Sequence, residues 1–424
     1  MSKIRWFILV VFIILVVTVC LGVVVLVRDT QEGNGINFFG LKEVISEEPI
    51  KGPDRGEWGN DLDNTFRTLT ISPTNSDVVY VGSEGNGMFR TLDGGVNWDW
   101  LRNGLKHEGS HYPEIYDMAI DENNESVVLA ATTNGPSPIY SDEYSVPVTA
   151  GIYRSENGGD TWTQYLEGLP NSAISSLIQF PGVLDTFVAG LDGQMSSRDN
   201  YSGLDNFGGL YISRDSGRSW EALPIPEEGV ENRYSKLLVR GEKSAPILYT
   251  AGLVWEKNQG SYQAEMSNVG IGLLRGTYEG QTWTKINPGD AFVLYFDVSA
   301  EGNTIYAGDL DESLIHISHD RGESWEQVNG RGLGAIKISP EDKEKVLFAA
   351  GNGVYLTEDG FQTEQKVLTL EDGVNDIEYF KGDPNIVYVS GSGLVVYKSV
   401  DGGRTFEQVA NLREMIDGIS SSAW

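Results

Sequence analysis

The sequence predicts an all-β protein, a single seven-bladed β-propeller of four-stranded antiparallel blades preceded by one N-terminal transmembrane helix. Three observations carry this prediction. A phrase of the form Ser/Thr-x-Asp-x-Gly-x-Thr-Trp recurs seven times, each copy stands between two short apolar runs, and residues 6–27 form one long apolar segment. The phrase is informative because repeats of about 40 to 45 residues are typical of propeller blades.

The copies differ in how closely they keep the shared form. Four keep it well, one replaces the aspartate with Asn157, and two depart further. In chain order they are Thr91–Trp98, Ser155–Trp162, Ser213–Trp220, Gly276–Trp283, Ser318–Trp325, Thr357–Glu364 and Ser399–Phe406. The residues to which we assign a structural role in these copies are Asp93, Asn157, Asp215, Asp320, Asp359, Asp401, Trp98, Trp162, Trp220, Trp283, Trp325 and Phe406.

Each copy predicts the turn of a β-hairpin, because it links two short apolar runs. An aspartate in a turn accepts hydrogen bonds from backbone N–H groups just ahead of it. The glycine provides backbone angles that other residues resist, and the tryptophan offers a large apolar plate that suits the space between packed sheets. We therefore interpret the aspartates as turn residues and not as catalysts.

The spacing of the copies indicates which blades are enlarged. Their third residues stand at positions 93, 157, 215, 278, 320, 359 and 401, so successive copies are 64, 58, 63, 42, 39 and 42 residues apart. The last three intervals match one four-stranded blade. The first three are longer, which predicts insertions in blades two, three and four.

The phrase is similar to the Asp-box, or BNR repeat, of a propeller superfamily. That superfamily includes sialidases, xyloglucanase-type glycoside hydrolases, sortilin-like receptors and photosystem II assembly factors. The resemblance covers about residues 64–410 and implies the propeller fold. It does not fix an activity, because one fold hosts many functions.

The superfamily members differ from this chain in ways that separate their functions. Xyloglucanase-type enzymes resemble it most in their repeats, but they hold substrate between two seven-bladed propellers, and this chain has room for one. Sialidases carry an Arg-Ile-Pro phrase that does not occur here, and sortilin-like receptors add a cysteine-rich module, whereas this chain has a single cysteine. The photosystem II assembly factors, which are membrane-associated and bind partner proteins, match better in size and blade count.

The apolar segment 6–27 lies between Lys3 and Arg5 on one side and Arg28 on the other. Its 22 residues suffice to span a bilayer as a helix and exceed the apolar part of a cleaved signal peptide. We predict a cytoplasmic N-terminus over 1–5, an uncleaved signal anchor over 6–27, a linker over 28–63, the propeller over 64–410 and a tail over 411–424. The early basic residues place the propeller outside the cytoplasmic membrane, in the periplasm or the extracellular space.

The chain of 424 residues has 61 acidic and 31 basic residues, a formal net charge of −30. This balance argues against nucleic acid as a partner, because nucleic-acid binding requires clustered lysine and arginine. Cys20 is the only cysteine, so no disulfide can form within the chain. No acidic pair, such as Asp61 with Asp63 or Asp309 with Asp311, has the spacing of a known calcium loop. The histidine pairs His107 with His111 and His316 with His319 lack the spacing of a zinc site. We therefore predict no metal and no cofactor.

The insertions fall at equivalent places in their blades. Asn134–Ala150, Leu191–Phe207 and Leu253–Val269 each stand between the second and third strand, and Asn103–Glu114 joins blade one to blade two. Antiparallel strand order puts all four segments on one rim, opposite the Asp-box turns. Tyrosine, tryptophan and arginine are favoured in recognition surfaces. The candidate ligand-binding residues are His107, His111, Tyr112, Tyr140, Tyr144, Arg198, Tyr201, Trp255 and Tyr262.

These segments lead to two functional hypotheses. The first is a non-enzymatic protein- or glycan-binding or assembly module, because functional residues gather on loops held by a rigid scaffold. The alternative is a carbohydrate-active enzyme, a glycoside hydrolase, which needs two carboxylates at a set separation. The acidic residues of the rim that suit this role are Asp142, Asp199, Asp205 and Glu265.

Overall fold

The computed structural model divides into two compact units, Met1–Gly52 and Pro53–Trp424, and every residue described below belongs to the second. The described residues are 65–107, 112–133, 150–170, 173–191, 208–225, 232–242, 244–254, 272–277, 282–309, 312–331, 334–413 and 415–416. The predicted signal anchor, residues 6–27, lies outside them. Within these ranges no helix is long and apolar enough to cross a membrane.

The described residues form seven four-stranded antiparallel sheets, each built from four strands that follow one another in the sequence. The predicted seven-bladed all-β propeller is therefore confirmed. Blades 1 to 4 contain β1 (Phe66–Ile71), β2 (Val79–Ser83), β3 (Met88–Thr91), β4 (Asp99–Leu101), β5 (Glu114–Ile120), β6 (Val128–Thr133), β7 (Ile152–Ser155), β8 (Thr163–Tyr165), β9 (Ile174–Gln179), β10 (Phe187–Leu191), β11 (Gly209–Ser213), β12 (Glu221–Leu223), β13 (Asn232–Arg240), β14 (Ile247–Val254), β15 (Gly272–Thr277) and β16 (Trp283–Lys285). Blades 5 to 7 contain β17 (Val293–Val298), β18 (Ile305–Asp309), β19 (Leu314–Ser318), β20 (Glu326–Asn329), β21 (Ile336–Ile338), β22 (Val346–Ala350), β23 (Gly353–Thr357), β24 (Gln365–Thr369), β25 (Val374–Tyr379), β26 (Val387–Gly391), β27 (Val395–Ser399) and β28 (Glu407–Asn411).

Each blade is buried on both faces because it packs between two neighbours. The second strands of blades 1, 3, 5 and 7 (β2, β10, β18 and β26) are buried at every residue. Their sequences, such as Val79–Ser83, are accordingly apolar or small throughout instead of alternating. Among the described residues, seven clusters of buried side chains, one between each pair of neighbouring blades, form the core.

A tyrosine of the second strand joins four of the blades to the next one. In each case its hydroxyl donates a hydrogen bond to a backbone carbonyl in a turn of the following blade. The pairs are Tyr80 to Gly158 at 2.7 Å, Tyr249 to Gly302 at 2.8 Å, Tyr306 to Lys343 at 3.0 Å and Tyr388 to Ser76 at 3.0 Å. The Val-Tyr-Val pattern of the sequence therefore supplies both packing and a directional bond between blades.

The ring closes by packing blade 7 directly against blade 1. The backbone N–H of Leu69 in β1 donates to Asp376 Oδ2 in β25 at 3.0 Å. Leu412 and Ile416, at the start of the predicted tail, are buried in the cluster that contains Phe66 and lies between these two blades. The beginning of the tail thus seals the interface between the first and last blades.

The Asp-box turns lie between the third and fourth strands and are held by side-chain hydrogen bonds. In the fifth blade the hydroxyl of Ser318 donates to Asp320 Oδ1 at 2.8 Å, and the N–H of Ser324 donates to the same oxygen at 2.9 Å. Gly322 has a φ of 85° and its N–H donates to Ser318 Oγ at 2.8 Å. A β-carbon at Gly322 would lie 2.7 Å from Ile286 of the preceding blade, so the turn also needs glycine for packing.

The sixth copy, Thr357–Glu364, keeps this geometry although its sequence departs from the shared form. The N–H of Thr363 donates to Asp359 Oδ1 at 2.8 Å. Phe361 stands at the glycine position with a φ of 71°. Its ring packs 5.3 Å from Tyr306 of the preceding blade and 5.1 Å from Phe348. Phe361 therefore fills the space between blades in the copy that has Glu364 instead of tryptophan.

The strand order fixes which segments share a rim. The connections from second to third strands and from one blade to the next lie on one rim, which we call the loop rim. The Asp-box turns lie on the opposite one, the Asp-box rim. The four long segments join β4 to β5, β6 to β7, β10 to β11 and β14 to β15, so all of them belong to the loop rim.

Candidate functional site

Two of the predicted ligand-binding residues, His107 and Tyr112, are described, and both lie in the segment between β4 and β5. His107 is exposed and Tyr112 is half-buried. The other predicted ligand-binding residues and the predicted acidic residues lie outside the described part of the chain. They are His111, Tyr140, Tyr144, Arg198, Tyr201, Trp255, Tyr262, Asp142, Asp199, Asp205 and Glu265.

His107 and Tyr112 belong to a row of stacked side chains on the loop rim. The ring centroids of His107 and Tyr112 are 5.2 Å apart. The guanidinium carbon of Arg102 lies 5.6 Å from the Tyr112 centroid and 3.5 Å from that of Trp100. Trp100 in turn stacks on the buried ring of Phe89, with centroids 5.7 Å apart and planes 14° apart. These contacts hold the Arg102 guanidinium and the rings of Trp100 and Tyr112 in fixed positions.

Hydrogen bonding further restricts this row. The indole N–H of Trp100 donates to the carbonyl oxygen of Asn86, in the connection between β2 and β3, at 2.7 Å. No carboxylate of the described residues lies within 4.0 Å of the Arg102 guanidinium. Arg102 thus has no ion-pair partner among the described residues, and its Nη1 is buried without a hydrogen-bond partner among them.

A pair of carboxyl groups lies where blade 1 meets blade 2 on the same rim. Glu84 belongs to the β2–β3 connection, and Glu114 is the first residue of β5. Arg67 donates a hydrogen bond to Glu84, and its Nη2 lies 3.9 Å from Glu114 Oε2. The Arg67 guanidinium also lies 5.4 Å from the ring centroid of Tyr116. One arginine thus balances two carboxyl groups.

Glu114 is the more unusual member of this pair. It is 2% exposed, and both of its carboxyl oxygens lack a hydrogen-bond partner among the described residues. Burial raises the pKa of Glu114 to about 7, the positive charge of Arg67 opposes this shift, and the nearby Glu84 carboxylate adds to it. Glu114 can therefore keep its proton near neutral pH while it lies beside Arg67 and Glu84.

Charged residues also line the channel along the axis of the propeller. Three aspartates join the first strand of their own blade to the first strand of the next by accepting a backbone N–H. The pairs are Leu177 to Asp117 at 2.8 Å, Ile338 to Asp297 at 2.8 Å and Leu69 to Asp376 at 3.0 Å. These bonds account for the positions of the three aspartates, of which Asp297 is buried and the other two are half-buried, so we assign them a structural role.

Burial nevertheless changes the acidity of two of these groups. It raises the pKa of Asp117 to about 7, although the backbone N–H groups of Leu177 and Met118 lower it. It raises the pKa of Asp376 to about 6, with Lys337 lowering it and Glu378 raising it. Both carboxyl groups consequently titrate close to neutral pH.

The second predicted histidine pair, His316 and His319, lies away from the loop rim. Within the described part of the chain, no group of three or more His, Cys, Asp or Glu residues is placed to hold a metal ion. His316 is buried in β19 with Nε2 3.5 Å from Asp309 Oδ2, whereas His319 is exposed near Glu326. These contacts show a buried polar pair and a surface pair.

Sequence reasoning did not single out Glu84, Glu114, Arg102 or Trp100 as candidate site residues. A usable signal existed for the carboxyl pair, because Glu84 directly follows a second strand and Glu114 begins a first strand, and both ends lie on the loop rim. Their burial carried no signal, because it arises only when blade 2 packs on blade 1.

Comparison with known proteins finds no family model that matches this chain. Xyloglucanase Xgh74A of Acetivibrio thermocellus is 31% identical over 310 residues, which cover 68% of this chain and 32% of that protein. The VPS10 domain-containing receptor SorCS1 of Homo sapiens is 22% identical over 235 residues, 50% of this chain and 18% of the receptor. The chain thus spans about a third, or less, of the length of these relatives.

Solved structures show the same fold. An ancestral GH74 enzyme superposes with a TM-score of 0.59 at 15% identity, covering 82% of this chain and 46% of the enzyme. YCF48 bound to a D1 peptide superposes with a TM-score of 0.53 at 16% identity, covering 80% of this chain and 94% of YCF48. Together with the recurring turns and the seven blades, these similarities show a seven-bladed β-propeller with Asp-box turns, similar to the propellers of the BNR superfamily.

Proposed function

We propose that this protein is a membrane-anchored, extracytoplasmic propeller that binds a protein or glycan ligand through its loop rim and does not catalyse a reaction. One observation carries the proposal. Four long segments, from blades 2 to 4 and from the junction of blades 1 and 2, share one rim with the anchored row formed by Trp100, Arg102, Tyr112 and His107. A rigid ring that presents long segments on one side is a common architecture for recognition.

The similarity to YCF48, which was solved with a bound D1 peptide, supports binding as the function. The match covers 80% of this chain and 94% of YCF48. A single propeller suffices to bind a ligand on its rim. The anchor over residues 6–27 would hold the protein at the membrane.

Membrane anchoring and ligand binding need separate tests. If residues 6–27 are an anchor, full-length protein should stay in the membrane pellet after a carbonate wash. A soluble product starting beyond residue 28 would contradict the anchor. Protease added outside intact cells or spheroplasts should digest the propeller, and protection would contradict the proposed orientation.

Ligand binding is tested with the full-length protein in detergent on a glycan array, and by cross-linking in membranes followed by mass spectrometry. We expect a ligand that is lost when residues 255–271, between β14 and β15, are replaced by a short glycine linker, or when Arg102 is changed to Ala. Val96→Ser is the matched control, because Val96 is 80% exposed on the Asp-box rim. Equal loss in the control, or retention in both rim variants, would place the binding surface elsewhere.

Glycoside hydrolysis is the second candidate, and the carboxyl pair of Glu84 and Glu114 is the observation that favours it. Glycoside hydrolysis requires two carboxyl groups, one of which keeps its proton to act as the acid, and the raised pKa of Glu114 suits that role. Glu114 is 2% exposed, however, so a substrate would reach it only after the rim rearranges. Release of reducing sugar from xyloglucan by the wild type, abolished in both Glu84→Gln and Glu114→Gln, would establish this function instead.

A further inference from the structure

The axial channel of the propeller contains a cavity of about 780 Å³ lined by the first strands of the blades. Lys236, Tyr295 and Lys337 line it from β13, β17 and β21, which belong to the consecutive blades 4, 5 and 6. The pairing of β13 and of β17 with its second strand is irregular just before Lys236 and Tyr295, respectively, and such bulges redirect side chains. Two amines and a phenol therefore share one sector of the channel.

Most charges around this sector are already matched. Lys337 is hydrogen-bonded to Glu378 of the next blade, and Arg240 Nη2 lies 2.8 Å from Asp297 Oδ1. Asp376 accepts a hydrogen bond from the backbone N–H of Leu69. The carboxylates of Glu378, Asp297 and Asp376 therefore already have hydrogen-bond partners.

Lys236 is the exception. Among the described residues, no carboxylate lies within 4.0 Å of its Nζ, which sits 5.8 Å from the ring centroid of Phe296. Burial lowers the pKa of Lys236 and the positive charge of Lys337 lowers it further, whereas the charges of Asp297, Asp376 and Glu378 raise it. Tyr295 lies in the same sector with 37% of its surface exposed. The sector thus combines an amine that has no carboxylate within 4.0 Å among the described residues and a partly exposed phenol.

We infer that this sector of the channel binds a small monocarboxylate, held between the amines of Lys236 and Lys337 and next to the hydroxyl of Tyr295. An anion there would relieve the repulsion between the two lysines and give Lys236 the partner that it lacks among the described residues. A single negative charge fits better than two, because Asp117, Asp376 and Glu378 line the same channel and would repel a dianion. The cavity volume is within the range of small-molecule sites.

The test is isothermal titration of the full-length protein in detergent with four probes: acetate, glucuronate, glucose and inorganic phosphate. We expect acetate and glucuronate to bind and glucose not to bind. Phosphate should bind more weakly than acetate. Lys236→Met should weaken acetate binding about tenfold or more, since a hydrogen bond to a charged group is lost. Lys236→Arg should retain most of the affinity. Lys285→Met is the control, because Lys285 is exposed on the outer strand β16.

Three outcomes would overturn the inference: no heat of binding with either carboxylate, equal binding of glucose and glucuronate, or unchanged affinity in Lys236→Met. Phosphate binding more tightly than acetate would replace the monocarboxylate by a dianion and so contradict the stated ligand class. The channel site does not depend on the loop rim. Loss of rim binding would leave these titrations unchanged, and the absence of a carboxylate site would leave the rim proposal intact.

Discussion

Replacing Glu114 with Gln tests whether the carboxyl pair at the loop rim is linked to a proton. The pKa of this group rises from 4.5 to about 7 on folding, so the folded state binds its proton more tightly than the unfolded state does. The contribution of Glu114 to stability is therefore complete below pH 4.5 and is lost as the pH rises to about 7. Since one pKa unit corresponds to about 1.4 kcal/mol, the loss is at most about 3 kcal/mol.

The amide that replaces the carboxyl group in this variant stays neutral at every pH, and its NH₂ can donate to Glu84. We expect Glu114→Gln to be more stable than the wild type by about 2 to 3 kcal/mol at about pH 8 and by about 0 kcal/mol at about pH 4.5. Urea unfolding monitored by tryptophan fluorescence at both pH values measures this difference. Glu407→Gln, at an exposed position of β28, is the control and should change neither value.

The same difference between variant and wild type at both pH values would refute the reasoning. Other channel groups, Asp117 and Asp376 among them, also titrate near neutral pH, so the wild-type curve alone is not diagnostic. A variant less stable than the wild type at about pH 8 would mean that Glu114 is ionised in the folded state and held by Arg67.

Three further substitutions probe the turns and the contacts between blades. Gly168→Ala should lower the free energy of unfolding by about 3 kcal/mol or more, because its β-carbon would lie 1.8 Å from the carbonyl oxygen of Trp220. Gly289→Ala should lower it by only about 1 kcal/mol, because Gly289 has a φ of 61° and an added β-carbon would have no atom within 4 Å. Equal costs of the two variants in urea unfolding would contradict the packing argument. Phe361→Ala should cost about 2 kcal/mol in the same assay, since the ring is half-buried between blades, and a cost below about 0.5 kcal/mol would show that the ring does not stabilise the interface. Asp320→Ala should lower the melting temperature at neutral pH, because hydrogen bonds from Ser324 lower the pKa of Asp320 from 3.8 to about 2. This contribution to stability is complete above pH 3.8 and is lost as the pH falls through about 2, so the difference from wild type should shrink over that interval, and a difference that is the same at about pH 2 as at neutral pH would contradict this.

The Asp-box turn was predictable because each of its roles is local. The hydroxyl, carboxylate and glycine that hold it lie within eight residues, so their spacing in the sequence is their spacing in the turn. The count of such turns then gave the number of blades, and antiparallel order gave the rim that carries the long segments. These parts of the fold needed no knowledge of long-range packing.

The carboxyl pair and the channel were not predictable in this way. Glu84 and Glu114 are separated by 30 positions and meet only because blade 1 packs on blade 2. Lys236 and Lys337 are still further apart, and a lysine on a β-strand gives no sign of whether it faces bulk water or an enclosed cavity. Burial and pKa depend on the assembled ring, which a single-sequence pattern does not encode.

The sixth turn shows that a degraded sequence pattern can conceal an intact structure. Thr357–Glu364 lacks the aromatic residue at its end, yet its hydrogen bonds are complete. Phe361 stands where the other copies have glycine, and its ring fills the space between blades that tryptophan helps to fill elsewhere. The absence of tryptophan from the sequence of this copy therefore does not mean that the turn or its packing is lost.

The construction of every blade from one uninterrupted stretch of chain has a consequence for unfolding and for engineering. Separating blade 7 from blade 1 would open the ring without unzipping any sheet, so this junction, which has no covalent link, is where partial opening costs least. Amide hydrogen exchange at Leu69, whose N–H donates to Asp376 across this junction, should therefore report the opening. For the same reason, a circular permutant that starts at another blade boundary would keep all seven sheets whole and would move the weak junction to a chosen place.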